Sequence, residues 1–243
     1  MKLDPIRFII KQIRRQKYKS GLKDFSIVKD PMDEIGAKIG KETFIGGGKG
    51  SFGSIGRLQL ITFLKVGLTP DSKFLDIGCG GLRAGYWFIH FLKPGNYCGI
   101  EPNEQMLGVG KKHLFSDGSL ELKKPRFNHN QEFDFSVFNE QFDFFVARSI
   151  WTHCGKAQIE IMLDSFKANK KPGGVFLASY LKPYYSSQDY KGTDWVGISL
   201  NSKERGVVFH KFSWIQEACK KRGLVARELP FDVARNQIWI EIR

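Results

Sequence analysis

Short apolar runs closed by a glycine or an acid recur along this chain and alternate with longer segments in which apolar residues return every three to four positions. Phe74 to Ile77 runs into Gly78, and Tyr97 to Ile100 runs into Glu101. Both runs have the length and content of buried strands. Between them Leu82 to Leu92 reads as a helix stopped by Pro94-Gly95, which gives a strand, loop, helix and strand in sequence. A weak third strand is expected at Arg126 to Asn128, and Phe142 to Ala147 is a continuous apolar run of the kind buried on both faces of a sheet. Further helices are expected at Leu58 to Val66, Asn103 to His113, Ala157 to Phe166 and Ser213 to Arg222, the last with Ser213 as N-cap and Gly223 as C′ residue. Lys171-Pro172-Gly173-Gly174 turns into a fifth strand at Val175 to Tyr180. Leu224 to Leu229 and Gln237 to Ile242 are joined by seven residues, too few for a helical crossover, so these two strands are expected to pair antiparallel. The pattern predicts an α/β chain with about seven strands, mostly parallel, and helices on both faces of the sheet.

A length of 243 residues with 42% hydrophobic content suits one such domain and would cramp two. Residues 34–57 carry Gly36, Gly40, Gly46 to Gly48, Gly50, Gly53 and Gly56, a composition expected of a loop or lid. The chain is therefore divided into residues 1–56, a basic N-terminal helix with a glycine-rich lid, and residues 57–243, the main domain. Charge sharpens the first part. The formal net charge is +13, and residues 1–23 supply +7 of it. Ile6, Ile9, Ile10 and Ile13 follow Pro5 at helical spacing within the same segment, as in a basic amphipathic helix. Such a helix suits an anionic membrane surface, nucleic acid or a phosphorylated substrate, or else packs its isoleucines on the domain. No apolar run approaches the roughly 18–20 residues of a membrane span, and Lys11 interrupts Phe8-Ile9-Ile10 too early for a secretory signal core. A cytoplasmic location is expected, with peripheral membrane contact open to the basic segment. Cys79, Cys98, Cys154 and Cys219 form no CxxC pair and read as reduced thiols.

The chemistry concentrates at Leu75-Asp76-Ile77-Gly78-Cys79-Gly80, where a strand enters a glycine turn, and at Glu101, 21 residues after Gly80. This is how open α/β sheets hold a nucleoside-like cofactor, with the acid's two oxygens available to ribose hydroxyls. With Gly99-Ile100-Glu101-Pro102-Asn103, Phe142-Asp143-Phe144-Phe145-Val146-Ala147 and Lys171-Pro172-Gly173-Gly174-Val175-Phe176 in the same order, residues 55–243 resemble the class I S-adenosylmethionine-dependent methyltransferases. The resemblance implies a Rossmann-like seven-stranded sheet with an antiparallel last strand, and S-adenosylmethionine as cofactor across the ends of the first strands. It assigns the methionine and ribose moieties to Gly78 and Gly80, the turn and the amino group to Asp76, and the ribose to Glu101. Cys79, Pro102 and Ala147, in the same motifs, join the expected cofactor contacts. Glu132 is the candidate for the adenine amino group, with Asn130 and Asp134 as alternatives. A dinucleotide site would need a small residue where Arg83 stands.

Methyl transfer from a sulfonium is an in-line displacement that depends mainly on positioning, with a base needed only where the nucleophile sheds a proton. His153, in the segment Arg148 to His153 after the fourth strand, is the candidate base and suits a hydroxyl acceptor. Trp151, Tyr180 and Tyr184 are the candidate acceptor contacts, since Tyr180 to Trp195 is rich in aromatic rings that suit a sugar or a planar metabolite. Ala147-Arg148-Ser149-Ile150 replaces the Asp/Asn-Pro-Pro-Tyr/Phe motif of base-amino methyltransferases, and Cys154 lacks the proline context of a cytosine C5 nucleophile. No carboxylate cluster near the ends of strands four and five suggests a catalytic metal. Segments at Ser54 to Arg57, Gly80 to Arg83 and Ser149 to His153 are similar to bacterial methyltransferases of glycan and secondary-metabolite contexts. The expected activity is O-methylation of a small-molecule or sugar hydroxyl. The alternative is an RNA or other nucleic-acid methyltransferase that uses residues 1–23 as a basic arm.

Overall fold

A computed structural model describes residues 30–46, 50–197, 206–230 and 237–243. Contacts divide the chain into residues 1–30 and a compact unit, Pro31–Arg243. The basic amphipathic segment expected at 1–23 lies outside the described residues.

The compact unit opens with helices α1 (Pro31–Glu42) and α2 (Phe52–Lys65), followed by β1 (Phe74–Ile77), α3 (Gly85–Phe91), β2 (Tyr97–Ile100) and α4 (Glu104–Leu114). A short α5 (Ser119–Lys123) leads to β3 (Arg126–Asn128) and β4 (Phe142–Ala147); α6 (Lys156–Asn169), β5 (Lys170–Tyr180), α7 (Phe212–Lys220), β6 (Ala226–Glu228) and β7 (Ile238–Ile242) complete it. The seven strands form one sheet in the order β3-β2-β1-β4-β5-β7-β6. The first five are parallel, and β7 runs antiparallel between β5 and β6. Among the described residues no helix is long and apolar enough to cross a membrane.

Every residue of β1 and β2 is buried, because helices cover both faces of the sheet. Side chains alternate between two cores: Leu75, Phe145 and Phe176 face one, while Phe74, Phe144 and Leu177 face the other. α6 and α7 fill the first core through Met162, Phe166 and Ile215; α2, α3 and α4 fill the second through Phe63, Phe88 and Leu107. Phe63 meets the rings of Phe74, Phe88, Phe144 and Trp239 edge-on at centroid distances of 4.9–6.5 Å.

Three local expectations are corrected. Residues 34–42 and 52–57 are helical rather than loop, so the division at 56/57 falls within α2. Gly36 sits in α1 because a Cβ there would lie 2.4 Å from that of Phe52, so this glycine serves packing between two helices. The helix expected from Ser213 starts earlier, with Lys211 as N-cap and no side-chain cap. The turn at Lys171 to Gly174 is taken up within β5, where the pairing with β4 shifts register between Phe142 and Phe144.

Candidate active site

The parallel strands end along one edge of the sheet, and the chain turns there. After β1, the amides of Gly78 and Cys79 both donate to the Ile100 carbonyl, at 2.8 and 3.1 Å, which ties the turn to β2. Gly78 has φ +72°, a conformation that side chains rarely adopt, and a Cβ on it would lie 2.2 Å from Ile150 Cδ1 and push that side chain aside. Glu101 emerges from β2 beneath the turn. Its Oε2 accepts from the Gly80 amide at 2.8 Å and its Oε1 from the Asn103 amide at 2.9 Å. One lone pair on each oxygen is thereby used to fix the carboxylate, and a second remains on each. Burial pushes the Glu101 pKa up, against the opposing pull of those amides and of His129. Asp76 is buried as well, and its Oδ2 accepts from the Tyr97 hydroxyl at 2.8 Å. Burial pushes its pKa up to about 7, Tyr97 opposes the shift, and the Glu101 charge adds to it.

Turn and acids share the wall of one cavity of about 520 Å³. Phe44, Ile45 and Gly46, between α1 and α2, close one side. Arg83 holds them there: its Nη2 donates to the Ile45 carbonyl and, at 3.4 Å, to that of Gly46, while the guanidinium lies 5.2 Å over the Phe52 ring. Near Glu101 the wall is completed by Asn130, Gln131 and Phe133.

The other half is built around the end of β4. Ser149, at φ +60°, donates its amide to Ser179 Oγ at 2.8 Å. Gln237 Oε1 accepts from Arg148, Ser179 and Ser149 at 2.5, 2.8 and 3.1 Å, so the start of β7 is tied to the end of β4. His153 stands in the wall with its Nδ1 2.6 Å from the Val196 carbonyl and its ring 5.4 Å from that of Trp195, nearly parallel to it. The carbonyl puts the imidazole proton on Nδ1 and makes Nε2 the basic nitrogen. Burial lowers the His153 pKa, with the backbone at Val196 and Gly206 partly offsetting it. The covering segments are pinned by the amides of Val196 and Val208, which donate to the carbonyls of His153 and Thr152, both at 2.8 Å. Beneath them the buried Asp189 takes Lys191, Lys156 and the Lys211 amide at 2.8, 2.9 and 3.1 Å.

Asp76, Gly78, Cys79, Gly80, Glu101, Pro102 and His153, all singled out in the sequence, line this cavity together. The remaining candidates stand outside its wall. Ala147 and Trp151 are buried in a core cluster, Trp151 edge-on to Phe176 at 5.8 Å. Tyr180 is fully buried and donates its hydroxyl to the Glu228 carboxylate. Tyr184 is 77% exposed. Glu132 is exposed and accepts from the Gln131 amide, while its neighbours on both sides face the cavity; Phe133 turns inward at φ +56°. Sequence reasoning missed Ile45, Val207 and Gln237 as wall residues, reached Arg148 and Thr152 only through the segment Arg148 to His153, and placed Trp195 only among general aromatics.

Residues 75–176 match the family model described as a methyltransferase domain. Residues 75–176 thus carry a methyltransferase domain. The chain is also similar in fold to solved structures at low identity. The DhpI-SAM-HEP complex aligns with a TM-score of 0.58 at 15% identity over 86% of this chain and 94% of that one. The glycopeptide N-methyltransferase MtfA gives 0.58 at 14% over 79% and 90%. Magnesium protoporphyrin IX methyltransferase from Synechocystis PCC 6803 with bound SAM gives 0.56 at 12% over 88% and 91%. The methyltransferase's own residues fit S-adenosylmethionine. Gly78 and Gly80, both at positive φ, carry the turn along the cavity wall, and Asp76 and Glu101 offer carboxylates to the cationic and hydroxyl groups of the ligand.

Proposed function

We propose that this methyltransferase acts on a hydroxyl group of a small molecule, with His153 as general base. The observation that carries the reading is His153 itself, a neutral, oriented imidazole in the same cavity as the Gly78–Gly80 turn and Glu101. S-adenosylmethionine, when bound, supplies an electrophilic methyl group on its sulfonium. In this reading Glu101 holds the ribose diol through its two remaining lone pairs, and Asp76 meets the positive charge of the methionine end. Asn130, Gln131 and Phe133 receive the adenine in place of Glu132, and Ile150 packs between the two halves. Arg148, Ser149 and Gln237 form a rigid floor against which the acceptor is oriented. His153 takes the hydroxyl proton at Nε2 as the oxygen attacks, while the Val196 carbonyl supports the imidazolium that forms at Nδ1.

The test is transfer of labelled methyl groups to a panel of phenols, hydroxy acids, sugars, amines and RNA. Hydroxyl compounds are expected to be labelled, with His153→Gln about 100- to 10,000-fold slower. Labelling of amines alone, or a variant as fast as the wild type, would remove His153 from this role. The nucleic-acid alternative rests on residues 1–23 and predicts labelling of RNA that falls steeply with salt.

A further inference from the structure

Residues 195–197 hold His153 from three directions. The Trp195 ring stacks on the imidazole at 5.4 Å, tilted by 28°. The Val196 amide donates to the His153 carbonyl at 2.8 Å, and the Val196 carbonyl meets Nδ1 at 2.6 Å. One residue thereby grips both the backbone and the ring of His153. Gly197 follows directly, at φ +131°, a conformation that side chains rarely adopt. A Cβ on it would lie 2.7 Å from His153 Nδ1 and 3.2 Å from Cε1. Nδ1 is the atom that the Val196 carbonyl holds, so a methyl group here displaces the ring at the end where it is fixed. Gly206 and Gly223 also have positive φ, at +136° and +69°, but a Cβ on either would meet nothing within 4 Å. Gly197 alone of these three combines a glycine backbone with close approach to a side chain of the cavity wall.

We propose that Gly197 is a positioning residue for His153: its missing side chain lets the Val196 carbonyl hold the imidazole proton on Nδ1, which leaves the lone pair on Nε2. The proposal rests on the reading of His153 as general base and deepens it. A neutral imidazole carries one proton on either of two nitrogens, and the hydrogen bond made by one nitrogen decides which. The opposite tautomer has a proton on Nε2 and no lone pair there to take the hydroxyl proton of an acceptor. Gly197 therefore governs which nitrogen is basic and where the ring points. Trp195 keeps the plane of the ring, and Val196 keeps its edge.

The test is ¹⁵N NMR of the histidine rings in the full chain at about pH 8, where His153 is neutral because burial holds its pKa below 6.5. His153→Gln identifies its signal among the five histidines, and His90, His113, His129 and His210 report on the fold. The wild type is expected to show His153 protonated at Nδ1 and bare at Nε2. Gly197→Ala is expected to lose that single tautomer with the other four signals in place. Val196→Ala, which keeps the carbonyl, and Gly223→Ala, which places a methyl group at positive φ in open space, are expected to retain it. A proton on Nε2 in the wild type, or an unchanged tautomer in Gly197→Ala, overturns the proposal; the first result does so whether or not the variant folds. On a hydroxyl compound labelled in the panel above, Gly197→Ala is expected to lower kcat about 10- to 100-fold with KM little changed. A tautomer lost with kcat intact would instead contradict the base role of His153 and leave Gly197 as the residue that orients its ring.

Discussion

At the scale of residues, the cavity is shaped by groups whose burial alters their chemistry. The Asp76 carboxyl, pushed up to about 7 from 3.8, is ionised in the unfolded chain but largely protonated in the fold across that interval. Its contribution to stability is therefore full below about pH 4 and is lost as pH rises through 7. Asp76→Asn is expected to raise Tm in the ligand-free protein at pH 8, with an advantage that shrinks towards pH 5, as thermal melts across that range will show. The same ionisation favours a cationic ligand. Affinity for S-adenosylmethionine is expected to rise by up to about tenfold per pH unit below the Asp76 pKa and to level off above it. Titrations at several pH values check this, and Asp76→Asn should flatten the slope. His153 titrates the other way: with its pKa held below 6.5, the acid limb of the rate profile is expected below that pH. At Gly78, a Cβ meets both positive φ and the Ile150 side chain, so Gly78→Ala is expected to abolish cofactor binding more completely than it lowers Tm.

At the scale of elements, legibility followed local continuity. The bounds of β1, β2 and β4 match their sequence expectations because each is a mainly apolar run of strand length, and the weaker Arg126 to Asn128 matches β3 as well. The strands β6 and β7 pair antiparallel because their connection is too short for any other arrangement. α1 was hidden by its own glycines: Gly36 looks like a loop residue until Phe52 is seen in the space it leaves. The half of the cavity around His153 was hidden by distance. Gln237 lies 89 residues from Arg148, and Val196 lies 43 from His153, contacts that no local pattern encodes. Glu132 missed the wall by one position because the chain after β3 turns through Phe133 in the left-handed region. The strap over His153 depends on Asp189, whose ionisation burial opposes but which Lys191 and Lys156 hold well below the usual carboxylate range. Its stabilising contribution is present above about pH 4 and is lost as pH falls further. Asp189→Asn is expected to lower Tm by several degrees and to raise acceptor KM more than it changes cofactor affinity, as melts and steady-state kinetics will show.

At the scale of the molecule, the sheet places the glycine turn and the segment that carries His153 at the carboxyl ends of adjacent strands, β1 and β2 on one side and β4 on the other. The first two sequence stations carried that arrangement because they fall at the ends of β1 and β2, whereas Lys171 to Phe176 lies in the first half of β5. The acceptor did not follow from the same stations, since the fold serves many substrates and its choice rests on segments inserted around the sheet. Calorimetric titration of the full chain with S-adenosylmethionine and S-adenosylhomocysteine, beside a Glu101→Ala variant, tests the central claim most directly. The account predicts micromolar binding of both ligands to the wild type and its loss in the variant, with Tm within a few degrees of the parent. Absence of binding to the wild type, or equal binding by the variant, would contradict the placement of the cofactor at the Gly78–Gly80 turn.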